Sequence, residues 1–92
     1  MDNKINLNFN KTLSSIAGYD LGEKIYEEQV KDLYKIDQKN IIVFPPEIER
    51  IAISFIQGFI DGLIKKRGYD KMLNEIEIQG NEKVVKRFNE VI

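Results

Sequence analysis

The residue best suited to chemistry in this sequence is Ser54, which precedes Gln57 by three positions at the start of an apolar stretch. A serine followed three residues later by glutamine has the spacing of a capping box, so Ser54 is predicted to cap the helix that follows. The N-terminus of a helix also stabilises an anion through its free N–H groups and its dipole. A phosphate group on Ser54 would therefore be tolerated, and Ser54 is the candidate phosphorylation site.

Small residues continue along the same helical face, because Gly58 and Gly62 follow Ser54 by four and eight positions. Residues four apart are neighbours on a helix, so these three form a row that another segment can approach closely. The row indicates either tight packing on a neighbouring strand or a docking surface for a partner protein. The candidate docking residues are Gln57, Gly58, Asp61 and Gly62.

Other chemistry has little support, since the sequence contains no histidine and no cysteine. The commonest general bases, paired nucleophiles and metal ligands are therefore missing. The carboxylate pairs Glu27–Glu28 and Glu75–Glu77 lie in patterns typical of solvated faces, and the six glycines lack the spacing of a phosphate-binding loop. We expect no catalytic residue, no cofactor and no metal site.

The predicted elements alternate between strands and helices. Ile5, Leu7 and Phe9 alternate with asparagines as in an edge strand, and a helix is predicted from Asp20, with Glu23 as its capping partner, to about Asp37. Residues 40–44 are apolar on both faces, as in a central parallel strand, and two prolines end it. Further predicted elements are a helix over residues 53–67, an edge strand over residues 75–78 and a last helix from residue 81.

This order predicts an α/β fold, a single small domain over residues 1–92 with a mostly parallel sheet of three to four strands and three main helices. The central strand is apolar on both faces, whereas the outer strands carry polar residues on one. The second face of the sheet is therefore expected to be only partly covered, and a homodimer or another partner is expected there.

Three segments, residues 41–44, 48–51 and 53–59, together resemble the STAS-like domains of unknown function. These are divergent relatives of the STAS domains of anti-sigma-factor antagonists and sulphate transporters. Residues 14–21 resemble the family's approach to its first helix. The resemblance implies a phosphorylation-switched binding module that works beside an ATPase of the histidine-kinase fold, and Ser54 matches the position of the phosphorylated serine.

The composition limits the partners and the location. With 92 residues, 42% hydrophobic residues and a net charge of −1, the chain can form one core but has no basic field for nucleic acid. Its longest apolar stretch, residues 51–64, is too short and too interrupted to cross a membrane. Because the chain has no cysteine and its N-terminus shows no export signal, a cytoplasmic location is expected.

The residues together predict a non-enzymatic regulatory protein-interaction domain that docks through the start of its second helix. Two alternatives stay open. One is a small-ligand-binding domain or small enzyme that uses the pocket between strand ends and helix N-termini, where ligands of parallel sheets usually bind. The other is a purely structural dimerisation module.

Overall fold

The computed structural model describes residues 2–92, in which a parallel sheet carries its helices on one side. The strands are β1 (Asn3–Asn6), β2 (Ser15–Ile16), β3 (Asn40–Val43), β4 (Arg50–Ile51) and β5 (Ile76–Gln79). The helices are α1 (Tyr19–Ile25), which continues as a π-helical segment (Tyr26–Val30), α2 (Ile53–Arg67), α3 (Tyr69–Glu75) and α4 (Glu82–Val91). The predicted small α/β fold with a mostly parallel sheet is confirmed.

The main sheet has the order β1-β3-β5, and both strand pairs are parallel. Ile5, Ile42 and Ile78 are in register across the three strands, and all three side chains are buried. They form the inner face, which packs against the helices. Parallel neighbours of this kind require crossover helices, and here α1 and α2 provide them.

The outer face of the sheet has no helix packed on it within residues 2–92. Its polar side chains are exposed, and its two apolar side chains are only partly buried and lie outside the core cluster. Side-chain alternation along each strand assigns six residues to this face, which are Lys4, Asn6, Ile41, Val43, Glu77 and Gln79. This arrangement agrees with the partly covered second face expected from the sequence.

The core is centred on aromatic rings contributed by the central strand and two helices. The ring of Phe44, directly after β3, lies 6.1 Å from that of Phe59 in α2 and 5.3 Å from that of Phe88 in α4. All three side chains are fully buried. Aromatic pairs at these distances add to the free energy gained by burial, so these rings hold both α2 and α4 against the end of the central strand.

Several predicted boundaries were wrong. Helix α1 begins at Tyr19, without a capping box, because Gly18 has a φ of 108° and takes the N-cap position with no side-chain hydrogen bond. The helical stretch ends at Val30 and does not reach Asp37. The additional helix α3 separates α2 from β5, and Glu75 is its last residue, not the first residue of a strand.

A second, two-stranded parallel sheet was not predicted. It pairs β2 with β4, and both strands lead into the N-termini of helices α1 and α2. The pairing therefore brings the starts of these two helices together. Among residues 2–92, every helix is too short or too polar to pass through a lipid bilayer.

Candidate functional site

Ser54 lies at the contact between the starts of α1 and α2. Its hydroxyl oxygen accepts a hydrogen bond from the backbone N–H of Gly18, with 3.1 Å between nitrogen and oxygen. The prediction that Ser54 caps its own helix is therefore wrong: Ala52 is the N-cap of α2, and Ser54 bonds the N-cap residue of α1. The reason is that the N–H of Ala52 still pairs with the carbonyl of Ile16, which keeps Ala52 extended.

The row of small residues on α2 is occupied by α1 of the same chain. A Cβ atom added to Gly58 would lie 2.0 Å from the carbonyl oxygen of Tyr19, and one added to Gly22 would lie 2.2 Å from that of Phe55. Gly62 faces the ring of Tyr26 at a similar distance. The close approach predicted for this row is therefore made by a helix of the same chain, and neither by a strand nor by a partner.

This packing removes part of the predicted docking surface. Gly58 is buried and Gly62 is partly buried beneath Tyr26, so a partner cannot contact the row while α1 covers it. Gln57 is exposed, and Asp61 is partly buried at the margin. The structure thus separates the four docking candidates into two that support α1 and two that reach the surface.

The two surface residues belong to a wider exposed patch. Ile53, Gln57 and Asp61 are spaced by four residues and follow one line along α2, and Tyr19 donates a hydrogen bond from its hydroxyl to Asp61. Ile53 is 47% exposed and Tyr19 is 37% exposed, so this surface presents two large apolar side chains to solvent. We call Tyr19, Ile53, Gln57 and Asp61 the α2 patch.

The bond between Tyr19 and Asp61 also fixes the protonation of the patch. The carboxylate of Asp61, as hydrogen-bond acceptor and as negative charge, raises the pKa of Tyr19 to about 12. The phenol therefore stays protonated to a higher pH than an ordinary tyrosine, with its hydrogen donated to Asp61. The sequence analysis did not name Ile53 as a candidate. Its position outside the apolar stripe of α2 could have identified it as an exposed apolar residue.

A basic cleft lies between β4 and α4, at the end of the sheet where β3 and β5 finish. The cleft has a volume of about 520 Å³ and is lined by Glu49, Arg50, Ile51, Lys83, Lys86, Arg87 and Glu90. Its four cationic side chains form no ion pair with the described residues 2–92. Four positive charges against two negative charges make the cleft a candidate site for an anion.

A buried ionic network lies at the opposite end of the sheet. Glu75 is only 6% exposed, so its predicted place on a solvated face is wrong. Its carboxylate accepts hydrogen bonds from Nε and Nη2 of Arg67, at 2.8 and 2.9 Å, and from the hydroxyl of Tyr34 and the N–H of Asp37, both at 2.8 Å. The hydrogen bonds from Arg67 are the main reason that the pKa of Glu75 falls to about 2.

This network joins α2, α3 and the loop before β3, and it leaves the carboxylate of Glu75 fully occupied, so this group is not available as a general base. Four donors occupy the carboxylate of Glu75, and every buried side-chain nitrogen or oxygen between residues 2 and 92 has a hydrogen-bond partner. The buried side chain of Asn40 extends the network by bonding both the N–H and the carbonyl of Lys35. We therefore assign the network a role in stability.

Comparison of the chain with protein-family models, with curated proteins and with solved structures found no significant match. The resemblance to STAS-like domains accordingly stays a prediction.

Proposed function

We propose that this chain is a non-enzymatic regulatory domain that binds another protein through the α2 patch. The observation that supports this proposal most strongly is the exposure of two large apolar side chains, Ile53 at the start of α2 and Tyr19 bonded to Asp61, along one line of α2 residues. Isolated exposed apolar residues are common, but a patch bordered by hydrogen-bonding groups is typical of interaction sites. Gln57 and Asp61 provide those groups here.

Ser54 gives this surface a means of regulation. Its hydroxyl bonds the N–H of Gly18, the residue directly before Tyr19. A phosphate on Ser54 would add negative charge and bulk at this contact, which would displace Gly18 and move Tyr19 within the patch. The partner in this proposal is an ATPase of the histidine-kinase fold that phosphorylates Ser54, and the location is the cytoplasm, which the absence of cysteine favours.

Binding to such an ATPase tests the proposal. In titration calorimetry, Ile53→Asp should weaken binding at least tenfold, because it replaces the most exposed apolar side chain of the patch by a charge, a change typically worth more than about 1.4 kcal/mol. Ser54→Asp should weaken binding in the same direction without unfolding the chain. Leu33→Asp is the matched control, since Leu33 is exposed outside the patch. Unchanged affinity of the Ile53 variant would contradict the proposal.

A second candidate function, binding of a small anionic ligand, is favoured by the basic cleft. Its four unpaired cations and its place at the strand ends suit a phosphate-bearing molecule. The cleft lies between β4 and α4, whereas the α2 patch lies on α2 and α1, so the two sites can be tested separately.

Inorganic phosphate should raise the melting temperature of the wild-type chain by several degrees if the cleft binds phosphate, because a ligand of the folded state stabilises it. Lys86→Glu/Arg87→Glu should abolish this increase. Lys11→Glu/Lys24→Glu makes the same change in net charge at exposed positions outside the cleft and should retain it. An equal response of both double variants would show that phosphate acts on the net charge and not on this cleft.

A further inference from the structure

The outer edge of β5 carries backbone groups without hydrogen-bond partners. The carbonyl of Gln79 accepts from the N–H of Phe44, so Glu77 and Gln79 turn their backbone groups towards β3. The backbone groups of the residues that alternate with them, Ile76, Ile78 and Gly80, therefore point away from β3. They are the carbonyl of Ile76, the N–H and carbonyl of Ile78 and, across the trans peptide from Gln79, the N–H of Gly80.

These four groups are free of any partner among residues 2–92, whereas the N–H of Ile76 is already bonded to the carbonyl of Met72 in α3. The open part of the edge thus has a fixed sequence of acceptor, donor, acceptor and donor. Its length is defined at one end by α3 and at the other by the start of α4.

On the opposite side of the sheet, two features oppose pairing with another chain: Asn8, two positions after the end of β1, is already hydrogen-bonded, and β1 itself carries a lysine. The side-chain amide of Gln29 accepts from the N–H of Asn8 at 2.7 Å and donates to its carbonyl at 2.8 Å. Gln29 therefore makes the two hydrogen bonds that a neighbouring strand would make. The exposed charge of Lys4 stands on β1 itself, and lysine on an edge strand opposes pairing with another chain. Within residues 2–92, the free edge of β5 has no such side-chain hydrogen bond, and β5 contains no lysine.

The pattern of free groups on β5 is complementary to itself in an antiparallel pair. When Ile78 faces Ile78 of a second copy, each N–H meets the other carbonyl, and the N–H of Gly80 meets the free carbonyl of Ile76 on each side. Four hydrogen bonds form, and all free groups are used. The neighbouring register, with Glu77 facing Glu77, needs the N–H of Ile76, which is already bonded, and forms only two.

Side chains on the outer face favour the same register. With Ile78 facing Ile78, Glu77 lies opposite Gln79 of the second copy, and an amide and a carboxylate can bond. The alternative register sets two Glu77 carboxylates against each other, and like charges directly opposite destabilise a strand pair. Within one chain the side-chain amide of Gln79 already donates to the carboxylate of Glu77 at 3.0 Å, and both side chains are exposed. In the pair, the same donor and acceptor meet across the strands.

We propose that two copies of this chain join their β5 strands in antiparallel orientation, with Ile78 facing Ile78, to form one continuous six-stranded sheet. The inference goes beyond the proposed function and does not depend on it, because β5 takes no part in the α2 patch. The free donors and acceptors and the charge pattern of β5 are complementary to those of another β5. This complementarity indicates a second copy of the chain as the partner.

Sedimentation equilibrium and amide hydrogen exchange test the proposal together. The chain should reach twice its mass of 10.7 kDa as its concentration rises. The N–H groups of Ile78 and Gly80 should become protected over the same concentration range. A chain that stays monomeric would overturn the proposal, as would a dimer in which both N–H groups exchange freely, since that dimer uses another surface such as the open sheet face.

Substitutions at two exposed positions of β5 test the register in which Ile78 faces Ile78. Gln79→Glu should raise the dimer dissociation constant about tenfold, because it places two pairs of like charges opposite each other. Glu77→Lys/Gln79→Glu should restore dimerisation, because lysine then faces glutamate. Equal dissociation constants for the wild type and both variants would overturn the register. Thermal unfolding of the variants under monomeric conditions serves as the control for their fold.

Discussion

Replacing Gly58 by alanine should lower the free energy of unfolding by about 3 kcal/mol, since overpacking a tight contact typically costs ~1–3 kcal/mol or more. Alanine normally stabilises an exposed helix position relative to glycine by about 1 kcal/mol. At Gly58 the sign is reversed, because the new Cβ would lie 2.0 Å from the carbonyl oxygen of Tyr19, a backbone atom that cannot turn aside. Urea denaturation measures the change.

Two further variants make this test specific. Gly22→Ala should destabilise the chain similarly, because its Cβ meets the carbonyl oxygen of Phe55 across the same contact. Gln57→Ala, next to Gly58 but exposed, should change the stability by less than about 0.5 kcal/mol. A Gly58→Ala variant as stable as the wild type would show that α1 and α2 are not packed this closely in solution.

Replacing Glu75 by alanine should cost about 3–5 kcal/mol, because removing one partner of a buried ion pair leaves the other charge without compensation. The change would remove all four hydrogen bonds to the carboxylate and thereby separate α3 from the loop before β3. Small domains have only about 5–15 kcal/mol of stability in total. The variant is therefore expected to be partly unfolded at 37 °C, as circular dichroism would show.

The same carboxylate predicts how stability depends on pH. The pKa of Glu75 is about 2 in the folded chain, below the ordinary glutamate value of 4.5. A lowered pKa contributes stability that is complete above the ordinary value and is lost as the pH falls towards 2. Glu75→Gln should therefore flatten the acid side of the stability profile. Glu77→Gln, at an exposed position, should leave the wild-type profile unchanged, and an equally steep profile for both variants would contradict this assignment.

The fold was largely predictable because its signals are local. The apolar run at residues 41–44 identified the central strand, and the periodic stripe that includes Phe55 and Phe59 identified α2. The surplus of apolar residues on β3 also pointed to the uncovered sheet face. Helix α3 was missed because its seven residues are too few to show a clear period.

The candidate sites were less predictable because they depend on contacts between distant residues. Ser54 has a capping spacing, yet its hydroxyl bonds Gly18, 36 positions earlier. Glu75 alternates like a surface residue, yet Arg67, Tyr34 and Asp37 converge on it from two other segments. A single sequence shows neither the contact of Ser54 nor the contacts of Glu75, because both depend on how whole helices are placed against one another.

The amide clamp of Gln29 on Asn8 has a consequence for how far assembly can proceed. A sheet open at both borders could add copies without limit and grow into a filament. Here Gln29 bonds the backbone of Asn8 just beyond the end of β1, Lys4 opposes pairing on β1 itself, and joining two β5 strands would use up the other border of each copy. In the proposed pair, further growth is therefore opposed at the β1 side, and Gln29→Ala should increase the tendency of the chain to form fibrils.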